Sequence, residues 1–294
     1  MAGLDIKKYE ALLAAVDLGS FSAAAEALQY TPSGISNMVD SVEAALGFPL
    51  LRRGRFGVTL TEYGNEVIGE IRSLVKQEQS LLQHAADLSG LMTGMVTVGA
   101  YYSISSHWLP SIFRDFLQDF PGINVHLQEG GRQLLSRWML EKELDFCLYS
   151  FDPEDTCDWI PLREDPMVVV VPMGHPFAQR ESVTLEECRD QPFIMTAQGR
   201  DHDIISLLKQ SDVDVNVRFS TLENYSALAL VESGLGISIM NQLITRGLDR
   251  RVKYIPLSPP RSISLGIAVP SMETLSPAAR KLIEYICASL APKL

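Results

Sequence analysis

The stretch FSAAAEALQYTPSGISNMVDSVEAALGFPLLRRGRFGVTLT, residues 21–61, decides the fold of the N-terminal part of this chain. Its first half predicts two helices joined by a turn. Thr31 is a suitable N-cap for the second helix, and Pro32 fits the first helical position, where no backbone donor is needed. From Ile35 and Val39 onward, apolar residues recur at helical spacing, which predicts one buried helix face. The opposite face is small and polar, with Ser33, Ser36, Asn37 and Asp40.

A polar helix face of this kind suits the DNA major groove, where hydroxyl and amide groups reach the base edges. An ordinary surface helix has the same pattern, so this face alone leaves both interpretations open. The next residues favour DNA, because Arg52 to Leu60 predict two short strands around a glycine-bearing turn. Arginines on such a hairpin can grip phosphate. The candidate DNA-binding residues are Thr31, Pro32, Ser33, Ser36, Asn37, Arg52, Arg53 and Arg55.

This helix-turn-helix with a basic hairpin resembles the N-terminal winged helix-turn-helix of LysR-type transcriptional regulators. The resemblance rests on Gly19 to Ala25, Val42-Glu43, Leu46-Gly47 and Leu60 to Gly64. It implies DNA binding by a regulator.

The chain departs from the family pattern in three places within the recognition helix. Pro32 stands where glutamine is frequent, Ser33 where proline is usual, and Asp40 where a basic residue is common. Residues 1–65 also carry five basic side chains against seven acidic ones, a net charge of −2. A DNA-binding domain normally has a basic surface. Here the positive charge is concentrated in the predicted hairpin, the wing, so we expect the non-specific affinity for DNA to be modest.

Composition narrows the class of protein. The 294 residues are 46% hydrophobic, enough for roughly two to three domains with buried cores. The net charge of −11 favours solubility and argues against a membrane surface or a general nucleic-acid coat. We find no signal peptide and no apolar run near the ~18 residues of a membrane span. The four cysteines are scattered, which indicates free thiols in a reducing cytoplasm.

Residues 61–90 predict one long helix. Val67, Ile71, Leu74 and Leu81 follow alternating steps of four and three residues when Glu78 takes its slot, as in a short coiled coil. A helix packed on its own domain is the alternative. The dimer interpretation gains because two-fold DNA readers need two recognition helices one turn apart on DNA, and in the resembling family this helix dimerises. We expect a homodimer, and a homotetramer built from such dimers.

From residue 95 the sequence alternates strands with helices, which predicts a parallel sheet with helices on both faces. The order of elements predicts two α/β lobes joined by crossings near 162–166 and 264–269. This part resembles the LysR effector domain, with its periplasmic-binding-protein type of fold, at Phe-Pro-Gly from 120 and Val-Glu-Ser-Gly-Leu-Gly-Ile from 231. The predicted domains are an all-α winged helix-turn-helix (1–60), a linker and dimerisation helix (61–90) and an effector-binding domain (91–294), with lobe I at 91–164 and 268–294 and lobe II at 165–267.

Three predicted strands end in loops rich in hydroxyl and amide groups, which begin at Tyr101, Thr196 and Ser220. Ligands of open α/β lobes sit outside the carboxyl ends of strands, where helix N-termini favour anions. We therefore expect one cleft between the lobes that suits a small organic acid, with tyrosines able to stack on an aromatic ring. The alternative is ordinary turns and helix caps. The candidate effector-binding residues are Tyr101, Tyr102, Ser103, Thr196, Gln198, Arg200, His202 and Thr221.

Sequence motifs of catalysis are absent: there is no metalloprotease motif, nucleophile elbow, Walker loop or dinucleotide fingerprint. We expect no catalytic residue, metal or cofactor. Two other classes stay open, a solute-binding module and an enzyme using the two-lobe fold. The wing argues against the first, and the second leaves the N-terminal domain unexplained. The predicted function is a cytoplasmic, ligand-responsive transcriptional regulator, activator or repressor, whose partners are promoter double-stranded DNA and a small-molecule effector, with no membrane.

Overall fold

The computed structural model describes residues 5–54, 57–88, 92–248 and 250–290, with the backbone alone at 87 and 88. The N-terminal elements are helices α1 (Ile6–Asp17), α2 (Phe21–Leu28) and α3 (Pro32–Leu46), strands β1 (Leu51–Gly54) and β2 (Gly57–Leu60), and the long helix α4 (Glu62–Leu88). The capping prediction is confirmed, because the Gly34 N–H donates to Thr31 Oγ1 at 3.1 Å. Ile35 and Val39 are fully buried, as their spacing predicts. The predicted hairpin is also confirmed, since β1 and β2 pair antiparallel.

The long helix α4 divides its apolar residues between two surroundings. Ile68, Ile71 and Val75 are buried and pack in the core of the winged helix-turn-helix, because positions three and four residues apart share one helix face. Leu74 and Leu81 are exposed, at 43% and 67% of their surface. The interpretation of Ile71 as a dimer contact is therefore corrected: this side chain fills the core of its own domain. Val67 is partly buried against the same core.

Polar contacts join α4 to the rest of the chain at Arg72. This side chain is largely buried, and its guanidinium contacts Asp17 at the end of α1 and Glu143 in the following domain, 2.9 Å from Glu143 Oε1. One helical turn further, Lys76 Nζ lies 3.0 Å from Asp145 Oδ1. Burial, the largest effect, raises the pKa of Glu143, while Arg72 lowers it. The linker helix thus contacts both neighbouring domains through ion pairs, and the Arg72 side chain at their centre is buried.

The C-terminal domain continues with both element types. Its strands are β3 (Gly94–Ala100), β4 (Ile123–Glu129), β5 (Phe146–Ser150), β6 (Asp158–Pro172), β7 (Pro192–Met195), β8 (Asn216–Ser220), β9 (Ser238–Asn241), β10 (Val252–Pro256) and β11 (Ser262–Val269). Its helices are α5 (Tyr102–His107), α6 (Leu109–Asp119), α7 (Arg132–Leu140), α8 (His202–Gln210), α9 (Asn224–Glu232), α10 (Gln242–Thr245) and α11 (Pro277–Leu290). Helix α5 replaces the loop that we expected after Ala100.

The main sheet is mixed, which corrects the prediction of a parallel sheet. Its strand order is β10-β6-β11-β5-β3-β4, with β9 also on β6. Strand β3 is parallel to β4 and β5, whereas β11 is antiparallel to β5 and β6. The reason is that β6 leaves the first lobe and β11 returns to it, so the two crossing strands run in opposite directions.

The two crossing strands separate two cores. The first half of β6 pairs with β11 and its second half pairs with β9 and β10. Phe116, Phe146 and Ile267 belong to the core of the first lobe, and Val169 and Phe193 to that of the second. Leu265 to Ala268 already pair with β5, so β11 joins the first lobe ahead of position 268. Across the described residues, no helix has the length and apolar character needed to span a membrane.

Candidate functional site

The polar face of α3 lies at the protein surface. Thr31, Pro32, Ser33 and Asn37 are exposed and Ser36 is half-buried, which is the arrangement that base contacts require. Arg52 and Arg53 on β1 are exposed, and Arg53 contacts Ser36 and Asp40 of α3. The eighth DNA-binding candidate, Arg55, lies outside the described residues.

The wing is held against α3 through Arg53. The Arg53 guanidinium forms an ion pair with Asp40 and donates to Ser36 Oγ at 3.0 Å. It also lies over the Phe21 ring, 5.0 Å from the centroid. On the other strand, the Val58 N–H donates to the Gly19 carbonyl at 2.9 Å. Arg53 therefore fixes the wing on the recognition helix, and Asp40 compensates part of its positive charge.

A cavity of about 320 Å³ lies between the two lobes. Seven of the eight effector candidates line it: Tyr101, Tyr102, Ser103, Thr196, Gln198, Arg200 and His202. Thr221 does not, and its hydroxyl donates to the Glu223 carbonyl at 3.1 Å. Strand-end reasoning therefore located the part of this cavity where β3 and β7 end.

Sequence reasoning missed several residues of the cavity wall. The first group is Gly130, Gly131 and Arg132, which follow β4, a strand whose end we did not consider. The same rule of strand ends would have found them. Asp201 and Asp203 flank the predicted His202, and Leu222 to Asn224 lie just beyond Thr221. Asp201, Asp203 and Glu223 add negative charge to the cavity wall, which the hydroxyl-rich loops of the sequence did not indicate.

Some predicted hydroxyl groups already have partners within the protein. Thr196 is 1% exposed, and its hydroxyl donates to Asp201, which also caps α8. Tyr101 Oη lies 2.9 Å from Ser150 Oγ. Burial raises the pKa of Tyr101 well above its usual value, so this phenol is neutral. Thr196 and Tyr101 therefore shape the cavity wall more than they offer free donors.

Arg132 lines the cavity, and its charge is compensated by carboxylates. Its guanidinium contacts the Ser150 carbonyl and Asp155, and its Nε lies 3.6 Å from Asp152. It also packs over the Tyr149 ring, 4.6 Å from the centroid. The side chain is buried and has two carboxylate partners, so it braces this wall.

At the cavity wall, polar groups of the two lobes approach each other. His202 Nε2 lies 3.1 Å from Asp152 Oδ2. Burial, with a contribution from Arg132, lowers the pKa of His202, so the imidazole is largely neutral near pH 7 and this contact is a hydrogen bond. The second is the approach of Asp203 to the Ser150 hydroxyl, which lowers the pKa of that carboxyl. Burial raises the pKa of Asp203 to about 6.

Helix N-termini face the cavity from both lobes. Helix α7 begins beside Gly131 in the first lobe and α9 beside Glu223 in the second, and neither has a side-chain cap. Their first N–H groups are available to an anion, which also gains from the helix dipole. Arg200 lines the same cavity and has no ion-pair partner within the described part of the chain. The geometry can therefore hold a small acid.

Comparisons with known proteins agree with this architecture. Residues 6–65 match the "Bacterial regulatory helix-turn-helix protein, lysR family" model and residues 89–291 match the "LysR substrate binding domain" model. The chain is 30% identical to the HTH-type transcriptional regulator YybE of Bacillus subtilis, over 90% of this chain and 91% of that one. It is 26% identical to YvbU of the same organism, over 96% and 97%.

Solved structures share the fold. A variant of full-length OxyR from Pseudomonas aeruginosa superposes with a TM-score of 0.77 at 19% identity, covering 99% of each chain. Full-length CbnR complexed with its target DNA gives 0.67 at 17% identity, covering 97% of this chain and 99% of that one. The Synechocystis CcmR regulatory domain in complex with 2-PG gives 0.62 at 22%, covering 68% and 99%. A winged helix-turn-helix, a long linker helix and a two-lobe effector domain thus occur here in one chain, which belongs to the LysR family of ligand-responsive, DNA-binding transcriptional regulators.

Proposed function

We propose that this regulator senses a small organic acid in the cavity between its lobes and transmits the binding to the spacing of its DNA-binding domains. The observation that carries the proposal is the cavity itself, whose wall contains seven residues expected from the sequence and two uncapped helix N-termini. A 320 Å³ cavity is at the small end of ligand pockets. The complex of CcmR with 2-PG supports a small ligand.

On DNA, we propose that the exposed face of α3 enters the major groove and that the wing approaches the backbone. The candidate residues are Thr31, Pro32, Ser33, Ser36, Asn37, Arg52, Arg53 and Arg55. The complex of CbnR with its target DNA supports this mode of binding. We propose a homodimer through the exposed residues of α4, Leu74 and Leu81, and a homotetramer of two such dimers. Leu82, 63% exposed, widens this apolar face.

We further propose that the protein acts in the cytoplasm by binding alone, without a catalytic step. Its free cysteines support the compartment: Cys147, Cys157, Cys188 and Cys287 are all unpaired in the structure. Coupling between ligand and DNA requires only that the acid bind one arrangement of the lobes better than another.

Thermal shift with a panel of small organic acids, with and without promoter DNA, tests the proposal. A ligand at one hundred times its Kd stabilises the folded state by about 2.7 kcal/mol, a readily detected rise in Tm. Arg200→Gln should raise the Kd for the stabilising acid at least tenfold, because Arg200 lines the cavity without an ion-pair partner among the described residues.

The matched control is Arg218→Gln, which removes an exposed arginine of the same lobe that does not line the cavity. Equal loss in both variants, or an unchanged affinity in Arg200→Gln, would move the acid elsewhere. Turnover of any stabilising compound would contradict the proposal of binding alone, and failure of the full chain to shift a promoter fragment would contradict the DNA-binding mode.

A further inference from the structure

One carboxylate of the cavity wall has no ion-pair partner among the described residues. Asp203 lines the cavity at the start of α8, and it has no ion pair with a cation in the parts of the chain that the structure describes. The Ser150 hydroxyl is the uncharged group that lowers the pKa of Asp203. A carboxylate in this position lacks the cation that would compensate its desolvation.

Arg132, whose charge acts on Asp203, forms its ion pairs with other carboxylates. Arg132 is shared between Asp155 and Asp152, with the Ser150 carbonyl as a further acceptor. Asp201 has hydrogen-bond partners instead of a cation: it caps α8 and accepts a hydrogen bond from the Thr196 hydroxyl. Of the two aspartates that line the cavity, Asp201 already accepts two hydrogen bonds, so among the described residues Asp203 is the one with room for a further donor.

An independent observation points the same way. Asn224 lines the cavity at the start of α9, and its Oδ1 is buried without a donor among the described residues. A buried acceptor normally has a partner, so a ligand in this cavity should present an N–H or O–H group. Arg200 and the N-terminus of α7 offer the opposite chemistry, namely donors and positive potential.

We propose that the effector is a zwitterion of the amino-acid class, with its protonated amine against Asp203 and its carboxylate toward Arg200. This inference rests on the proposed function, and it replaces a simple organic acid by one that carries an amine as well. Asn224 Oδ1 accepts a further N–H or O–H of the ligand. An acid without an amine would leave Asp203 without a cation and add a further negative charge to a cavity that Asp201 and Glu223 also line.

Proton release gives the proposal a signature of its own. Burial raises the pKa of Asp203 to about 6, so near pH 6 about half of the molecules carry a proton there. The charged groups that act on Asp203 are Asp201, Arg132 and Asp152, and Tyr101 and His202 face the same cavity. An ammonium group favours the ionised carboxylate, so binding near pH 6 should release a proton.

The experiment uses the full chain and a panel of the standard amino acids, each beside its deaminated acid and its decarboxylated amine. At least one amino acid should raise the Tm and bind at least tenfold more tightly than either partner compound. Asp203→Asn, which has nearly the same shape, should remove the preference for the amine. Asp214→Asn, an exposed carboxylate outside the cavity, should keep it.

Calorimetry of the unmodified protein at pH 6, in buffers of different ionisation enthalpy, checks the release of a proton without any variant. Equal affinity for an amino acid and its deaminated acid, or an unchanged preference in Asp203→Asn, overturns the zwitterion and leaves the acid-sensing proposal in place. Failure of every compound to stabilise the protein overturns both. Proton uptake on binding would also contradict the pairing with Asp203.

Discussion

The Asp40–Arg53 ion pair yields a quantitative prediction about DNA affinity. Asp40 and Arg53 are both partly exposed, with 51% and 43% of their side-chain surface accessible, and they lie beside the face proposed to meet DNA. Asp40→Asn removes the closer of the two carboxylates near Arg53 and leaves only Glu43, at 3.9 Å, so the Arg53 guanidinium can turn toward phosphate. We therefore expect tighter DNA binding, with little change in stability, because exposed ion pairs contribute little.

The magnitude follows from counterion release. Each additional phosphate contact steepens the dependence of log K on log salt by about 0.9. A dimer presents two wings, so Asp40→Asn should steepen the slope by about 1.8. Between roughly 50 and 200 mM salt, this amounts to about a 12-fold larger advantage over the parent at the lower concentration.

Fluorescence anisotropy with a labelled promoter fragment, titrated at several salt concentrations, measures both slopes. Glu26→Gln makes the same charge change on α2 without touching the Arg53 pair and should leave the slope almost unaltered. The gain should vanish in the Asp40→Asn, Arg53→Ala double variant, as a double-mutant cycle would reveal. Identical slopes for the parent and Asp40→Asn, or equal steepening in Glu26→Gln, would refute the reasoning.

Three further predictions concern other parts of the molecule. Leu74→Glu should abolish the dimer in light scattering while the fold persists. Ile71→Ala should instead lower the free energy of unfolding by about 2–5 kcal/mol, because it opens a cavity in a packed core. A dimer lost in Ile71→Ala and kept in Leu74→Glu would make Ile71 a dimer contact after all. Asn37→Ala should relax preference at one base pair, costing about 1–3 kcal/mol, and selection from a randomised operator would detect an unaltered preference. Burial raises the pKa of the Cys147 thiol, and that of Cys188 to about 12, so a maleimide should label neither in the folded protein at pH 7; rapid labelling followed by mass spectrometry would contradict this.

The sequence predicted the elements that depend on neighbouring residues. The start of α3 follows from Thr31 and Pro32, since a cap and a proline act within one turn. Its end follows from Gly47, whose φ of +86° suits a residue without a Cβ. The ends of β3 and β7 located one part of the cavity wall, because buried strands show as apolar runs.

The sequence by itself determined the winged helix-turn-helix, the linker helix and the two-lobe domain, since caps, turns and apolar periodicity are local signals. Only the tertiary structure decided that Ile71 faces its own core, that Asp40 holds Arg53, and that Asp203 meets Ser150 across the cavity. The direction of β11 in the sheet was decided in the same way. Each of these features depends on residues far apart in the chain or on which face of a helix packs inward. The spacing of residues along the sequence does not give the distance in space between such partners.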